Sequence, residues 1–572
     1  MQTITKGKII AMLIGAGIVA WLVNRASEMT RELIQVGALP DDLIAAYGKR
    51  LADDPLFVSM HRVDLMAAAC GAGLVVLVAL YNLSKRKPTR RGEEQGSAGW
   101  ADRKAIAKYG DKKRGNRIQL TDNAAMSLDT RRTQRNNNVL VVGGSGSGKS
   151  RSYVIPNVAA LDCSMAVTDP KGEIREQTQA NLEGRGFKVR TFNLVNLRES
   201  HGFNPMAYID PEQPEASIAQ LTEGIVTNTT AGERRGDQFW DRAERALLTA
   251  LTAYAWATIP NASLADVADL HKRMASGEGK QAQAKSEVDL EFEAAREVVA
   301  EYRESGPEVP ADVPADEAAR RQRVEDRAMR VLDFACRQYR IYQQGPGETR
   351  MSVIISLGVR LAPLDMHEVR QIIRKDTIAL DRIGMERTAL FVELPDTHGT
   401  FNFLAALFWQ SLFETNIYLS DHNEPRGLAV PVHCFLDEFA NIGRIPNFER
   451  VIATIRSRGI GVSVIVQAMS QGKALWDDHW PTIVGNCDSI LYLGSMDWET
   501  REWISKQLGE ETVLEEDFSR SYGASGSSSR SQRSVKRALM TPEEVGRLPH
   551  TEAILMLRGE RPYRSKKAPV LS

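Results

Sequence analysis

Val139-Leu140-Val141-Val142-Gly143-Gly144-Ser145-Gly146-Ser147-Gly148-Lys149-Ser150 decides how the rest of this chain is read. The apolar start fits a short buried strand, and the remainder matches G-x-x-x-x-G-K-S/T at every fixed position. Glycines at this spacing let consecutive backbone N–H groups curl around phosphate oxygens, and a helix beginning there aims its positive end at the same anion. The pattern assigns Gly143, Gly144, Ser145, Gly146, Ser147 and Gly148 to a phosphate cradle. It brings Lys149 to the β- and γ-phosphates and places the Ser150 hydroxyl for Mg2+, so ATP with Mg2+ is the expected ligand. Pro156 should end or kink the following helix after about two turns.

Working outward, Ser164 to Thr168 reads as a second apolar strand, ending in Asp169-Pro170-Lys171-Gly172-Glu173. A helical stretch then stops at Gly184, and Lys188 to Leu194 reads as a third strand. This alternation predicts an α/β fold with a parallel sheet, whose ligands gather at the carboxyl ends of strands, where Gly143 and Asp169 both fall. Asp169 therefore joins the cofactor-binding candidates. Val430 to Leu436 is an apolar run ending in Asp437-Glu438. Such a strand supplies one carboxylate, Asp437, to the Mg2+ shell and a second, Glu438, to orient or deprotonate water. Gly461 to Val466 delivers Gln467, either as a sensor of phosphate and water or as a cap on the next helix. Arg456 has two readings as well: a finger reaching a neighbouring subunit's nucleotide, or a surface residue in weak ion pairs. The catalytic candidates are Lys149, Glu438, Gln467 and Arg456; the metal candidates are Ser150 and Asp437.

The 572 residues suffice for two to four domains. Lys plus Arg and Asp plus Glu both number 73, yet the charge is uneven. Lys85 to Arg135 is basic, which fits contact with anionic lipid or nucleic acid, and Met274 to Asp326 is acidic, which fits a solvated helical face. Five scattered cysteines with no C-x-x-C argue against zinc or disulfides and for reduced thiols, with Cys163 and Cys434 as small core residues. Residues 1–84 read as a membrane anchor: apolar runs Ile9 to Val23 and Leu65 to Leu83, with basic residues flanking both, predict two transmembrane helices joined by an external loop, 24–64. Residues 85–210 and 347–572 then form the nucleotide-binding domain around an all-helical insertion, 211–346. Ser519 to Arg537, polar and basic, is either a loop touching a phosphate backbone or a solvated surface loop.

These features together resemble the type IV secretion coupling proteins of the TraG/TraD class, the membrane ATPases of bacterial conjugation. The resemblance covers nearly the whole chain and is carried by the N-terminal apolar runs, Gly143 to Ser150, Asp169 to Glu173, Phe203-Asn204-Pro205, Leu436-Asp437-Glu438-Phe439, Gln467, and Leu539-Met540-Thr541-Pro542-Glu543-Glu544. It implies a RecA-like P-loop NTPase domain with an all-helical insertion, assembled as a homo-hexamer on the bacterial inner membrane with the large domain cytoplasmic. It further implies ATP hydrolysis at subunit interfaces, with relaxase and relaxosome proteins, single-stranded DNA and secretion-channel subunits as partners. The alternative is a membrane receptor that recruits protein substrates and uses nucleotide only for assembly. A double-stranded DNA pump of the FtsK kind shares the core and is set aside on the Asp169 to Glu173 string.

Overall fold

The computed structural model describes residues 6–36, 43–84, 93–229, 238–274, 285–307, 314–395, 398–520 and 528–570. They fall into two compact units, 1–95 with 512–535 and 96–511 with 536–572. In the first, α1 (Lys6–Val36) and α3 (Arg62–Ser84) pack antiparallel, with α2 (Leu43–Asp53) between them in sequence. Gly71 permits the approach, since a Cβ there would lie 3.0 Å from Val23 Cγ2. Among the described residues one helix is long and apolar enough to cross a bilayer: α3, over Arg62–Tyr81, with mean hydropathy 2.3. The expected pair of spanning helices is thus a helix pair with one candidate span.

The expected external loop is also corrected. Much of 24–64 is helical, because its polar groups find partners and α1 need not end where its apolar run does. Asn24 and Ser59 exchange hydrogen bonds of 3.1 and 2.8 Å, Arg25 pairs with Glu28 at 2.7 Å, and Asp64 accepts from Ser27 at 2.7 Å and Ser59 at 2.6 Å. The polar stretch expected as a loop over 519–537 belongs to a two-stranded ribbon, 510–520 with 528–538. Its basic residues are partly neutralised across the ribbon, Arg530 by Glu516 at 2.5 Å and Arg533 by Glu515 at 3.3 Å; 521–527 lie outside the described residues.

The second unit is built on a nine-stranded sheet. In chain order its strands are β1 (Val139–Gly143), β2 (Ser164–Thr168), β3 (Lys188–Asn193), β4 (Thr388–Glu393), β5 (Val432–Leu436), β6 (Ile460–Val466), β7 (Ser489–Gly494), β8 (Glu552–Leu557) and β9 (Tyr563–Lys566). Their spatial order is β9-β8-β7-β1-β6-β5-β2-β4-β3. The strands from β7 to β3 in that order are mutually parallel, and β8 and β9 are antiparallel additions. Continuous apolar runs such as Val139 to Val142 suit a sheet covered on both faces, and β1, β2, β5 and β6 are buried along their whole length. The basic stretch before β1 is part of this unit from residue 96: Ile106, Ile118, Leu120 and Met126 share a core cluster with Val139, Val141 and Met165. Four cysteines, Cys163, Cys336, Cys434 and Cys487, are buried thiols.

Past α4 (Glu173–Gly184), the helical insertion runs through α5 (Pro214–Thr229), α6 (Gln238–Thr258), α7 (Leu264–Met274), α8 (Glu287–Ser305), α9 (Ala315–Gln343), α10 (Gly347–Leu361) and α11 (His367–Arg374). The expected boundary at 346 therefore moves beyond 374, because α10 packs on α6 and α7 and α11 packs on α7. The acidic stretch contributes to the core as well as to the surface. α8 starts with a Ser286–Asp289 capping box and buries Val288, Phe292, Ala295 and Val299 at helical spacing, with Phe292 stacked on Tyr339.

Candidate functional site

The carboxyl ends of adjacent parallel strands form one edge, presenting in order Gly494, Gly143, Gln467, Asp437 with Glu438, Asp169, Glu393 and Asn193. β1 lies between β7 and β6, so the loop that follows it emerges next to Gly494 on one side and Gln467 on the other. Gly144 N–H donates to Gly494 O at 2.8 Å and Ser147 N–H to Gly144 O at 3.1 Å. Gly146 and Gly148 take φ of +71° and +89°, the left-handed region that only glycine enters without strain. Lys149 is buried and turned inward, its Nζ donating to Gly143 O at 2.9 Å and Gly144 O at 3.3 Å. Ser147 Oγ is buried with no hydrogen-bond partner among the described residues. Backbone donors in a glycine-rich turn, a lysine on displaceable carbonyl bonds and an orphaned hydroxyl make a cradle that fits a polyphosphate.

The helix that follows is short, as Pro156 foretold. It opens with one wide turn, in which Ile155 N–H donates to Ser150 O, and ends at Val158. That turn leaves the Ser150 hydroxyl donating to Asp437 Oδ2 at 2.9 Å. Burial pushes the Asp437 carboxyl up to about 6, against the Ser150 hydrogen bond that favours its ionised form. A hydroxyl and a buried carboxylate at this separation are the oxygen donors a Mg2+ ion takes, and such an ion would relieve the cost of that burial. Glu438 sits just beyond β5 at φ +50° and ψ +47°. Gln467 Nε2 donates to both of its oxygens, at 3.0 Å to Oε1 and 2.9 Å to Oε2. Of the two readings of Gln467, the structure thus gives it a carboxylate partner; its backbone N–H meets Gln471 Oε1 at 3.1 Å.

The remaining expected residues have partners outside the phosphate loop. Asp169 is on the same edge but serves α4, with Oδ2 accepting from Arg175 N–H at 2.8 Å, and burial raises its carboxyl to about 6. Beside it Glu393 accepts from Asn193 at 2.6 Å and Arg175 at 2.5 Å, closing a buried polar cluster. Arg456 lies in a turn just before β6, at the opposite edge of the sheet, with Nη2 donating to Thr130 O at 3.2 Å. It is therefore outside this chain's own phosphate-loop cluster. Arg458 is engaged by Asp421 at 2.7 Å. Two side chains the sequence did not suggest also touch the loop: Lys567 and His550, on Ser147 O and Gly146 O.

Behind the site, Tyr153 Oη and His433 Nε2 meet Ser463 Oγ at 2.7 and 2.8 Å, all three fully buried. Burial drives the His433 imidazole from its ordinary 6.5 to about 3, so it stays neutral in the fold. Between those pH values the unfolded chain binds a proton the folded chain does not, and stability falls as pH falls through that window. His433→Gln is expected to remove this share of the acid sensitivity. Denaturant midpoints at pH 7 and pH 4.5 should move further apart in the wild type than in the variant; equal spacing refutes the assignment.

A family model described as Type IV secretory system Conjugative DNA transfer matches residues 99–569. The chain is 26% identical over 441 residues to the probable conjugal transfer protein TraG of Sinorhizobium fredii (strain NBRC 101917 / NGR234), an alignment covering 75% of this chain and 61% of that protein. It is 22% identical over 438 residues to protein VirD4 of Rhizobium radiobacter, covering 75% and 56%. The match thus spans less than two thirds of either relative. Among solved structures, the plasmid coupling protein TrwB in complex with the non-hydrolysable ATP analogue ADPNP superposes with a TM-score of 0.54 at 14% identity, covering 85% of this chain and 96% of that one. At that identity the likeness speaks for the fold: a RecA-like α/β sheet carrying a helical domain.

Proposed function

We propose, for a chain that belongs to the type IV secretory system conjugative DNA transfer family, that its phosphate-loop site binds ATP with Mg2+ and hydrolyses it to drive a relaxase–DNA complex into a secretion channel. One observation carries the reading. Ser150 with Asp437 at 2.9 Å and Glu438 with Gln467 at 2.9 Å stand together beside the loop, a pair of oxygen donors for a metal next to a carboxylate held for water. A receptor that only bound nucleotide would have no use for the second of these pairs. The bound metal would supply charge neutralisation at the phosphoryl oxygens; Lys149 would exchange its two loop carbonyls for phosphate. TrwB has been crystallised with ADPNP and, separately, with ADP and Mg2+, which supports this choice of ligands.

The same reading assigns Arg456 to the neighbouring subunit's site in a homo-hexamer, since it lies at the edge away from its own loop. α3, with α1 alongside, would hold the chain in the inner membrane and leave the larger unit cytoplasmic. Relaxosome proteins, single-stranded DNA and channel subunits are the proposed partners. The test is steady-state ATP hydrolysis by the full-length protein in lipid, with and without single-stranded DNA, beside Lys149→Ala. Hydrolysis that rises with DNA and falls by about a hundredfold or more in the variant is expected. Tight nucleotide binding without turnover under either condition overturns the motor reading.

A further inference from the structure

The far end of the chain returns to the phosphate loop. β8 runs antiparallel to β7, so its start and the end of β9 lie at the sheet edge that carries Gly143. Lys567 follows β9 there, its backbone N–H donating to Thr551 O at 2.8 Å. The half-buried side chain reaches inward: Nζ donates to Ser147 O at 2.7 Å and to Leu493 O, next to the end of β7, at 2.9 Å. From the loop before β8, His550 Nε2 donates to Gly146 O at 3.0 Å.

A phosphate cradle turns its N–H groups toward the anion, so its carbonyls need donors from elsewhere. Lys149 supplies Gly143 and Gly144, but it must leave them to reach phosphate. His550 and Lys567 bind the carbonyls of Gly146 and Ser147 further round the turn and are under no such demand. The peptide whose oxygen Lys567 holds is Ser147–Gly148, whose N–H immediately precedes Lys149. An ammonium on the oxygen of a peptide polarises it and strengthens the N–H as a donor. The bond to Leu493 ties the same ammonium to the neighbouring strand, so the loop's position depends on the sheet and not on Lys149 alone.

We propose that Lys567, assisted by His550, is a positioning residue of the nucleotide site, holding the Gly146–Gly148 turn in its anion-binding shape from within the same chain. The inference rests on the nucleotide-binding reading above, and it makes the β8–β9 hairpin a working part of that site.

The experiment uses full-length protein in lipid nanodiscs, with two measurements: the Kd of a fluorescent ATP analogue, and backbone hydrogen exchange across 143–150 without nucleotide. Lys567→Met should weaken binding about tenfold or more and speed exchange in the loop. Lys567→Arg, which keeps the charge and donors, should restore both to within about threefold. His550→Gln should move both in the direction of Lys567→Met by less. Lys149→Ala reports on the site itself. A wild type that binds no nucleotide defeats the nucleotide reading. A wild type that binds, beside a Lys567→Met that binds equally and exchanges no faster across 143–150, defeats this proposal alone. Should Lys567→Met fail to fold, Lys567→Gln decides: loosened exchange in the loop supports the assignment, and wild-type exchange overturns it.

Discussion

Glu438→Gln is expected to slow ATP hydrolysis about a thousandfold while leaving nucleotide affinity within about threefold of wild type. Glu438 takes a left-handed backbone conformation that a non-glycine residue adopts at a cost, φ +50°. That turn lets its carboxylate meet Gln467, just past the end of the adjacent β6, whose amide donates to both oxygens and fixes the plane of the group. A glutamine in place of Glu438 is nearly isosteric but cannot take a proton from water, and its own amide group opposes the Gln467 amide as donor against donor. Lys149, Ser150 and Asp437, which would hold the nucleotide and metal, are untouched. Single-turnover hydrolysis separates the outcomes. A thousandfold slower step with unchanged binding supports the role, and a wild-type rate shows that another group orients water. Gln467→Ala should lower the rate less, because it frees the carboxylate without removing it.

Much of this site was legible because its signals are local. An apolar strand, a glycine turn and Lys149-Ser150 are contiguous, and so are β5, Asp437 and Glu438, so strand geometry alone delivers each group to one sheet edge. Other motif residues proved to be folding signals. Asn204 caps the turn that follows it through Met206 N–H, Thr541 and Glu544 form a capping box, and Asp169 accepts from the start of α4. Lys567 and His550 stayed hidden because their loop partners lie 420 and 404 residues away, and only the antiparallel return of β8 and β9 brings them back. The end of α1 was missed for a different reason: hydropathy marks where apolar residues stop, whereas a helix continues as long as its polar side chains find partners. The boundary at 346 moves because α10 packs on α6 and α7, and a side chain that no periodicity reveals adds to that contact.

That side chain is Arg360, and Arg360→Met is expected to destabilise the helical insertion by about 3–5 kcal/mol. The guanidinium is 10% exposed and Glu244 only 4%, with Nε donating to Glu244 Oε2 at 2.5 Å. It also meets Asp241 at 3.4 Å, Val226 O at 3.2 Å and Thr229 Oγ1 at 3.4 Å, so one charge joins α5, α6 and α10. Methionine fills similar space but leaves Glu244 buried with its main counter-charge gone, and that stranded charge is the larger part of the cost. Arg360→Met with Glu244→Leu should therefore be more stable than Arg360→Met alone, because both ends of the buried pair become apolar. Arg321 with Glu317 on α9 is the contrast, exposed at 58% and 51%, where Arg321→Met should cost under about 1 kcal/mol. Denaturant-dependent hydrogen exchange in α6 and α10 reads all three. A loss at Arg360 no greater than at Arg321, or a double variant no better than Arg360→Met, would mean that apolar packing, and not this buried pair, holds α10 to the insertion.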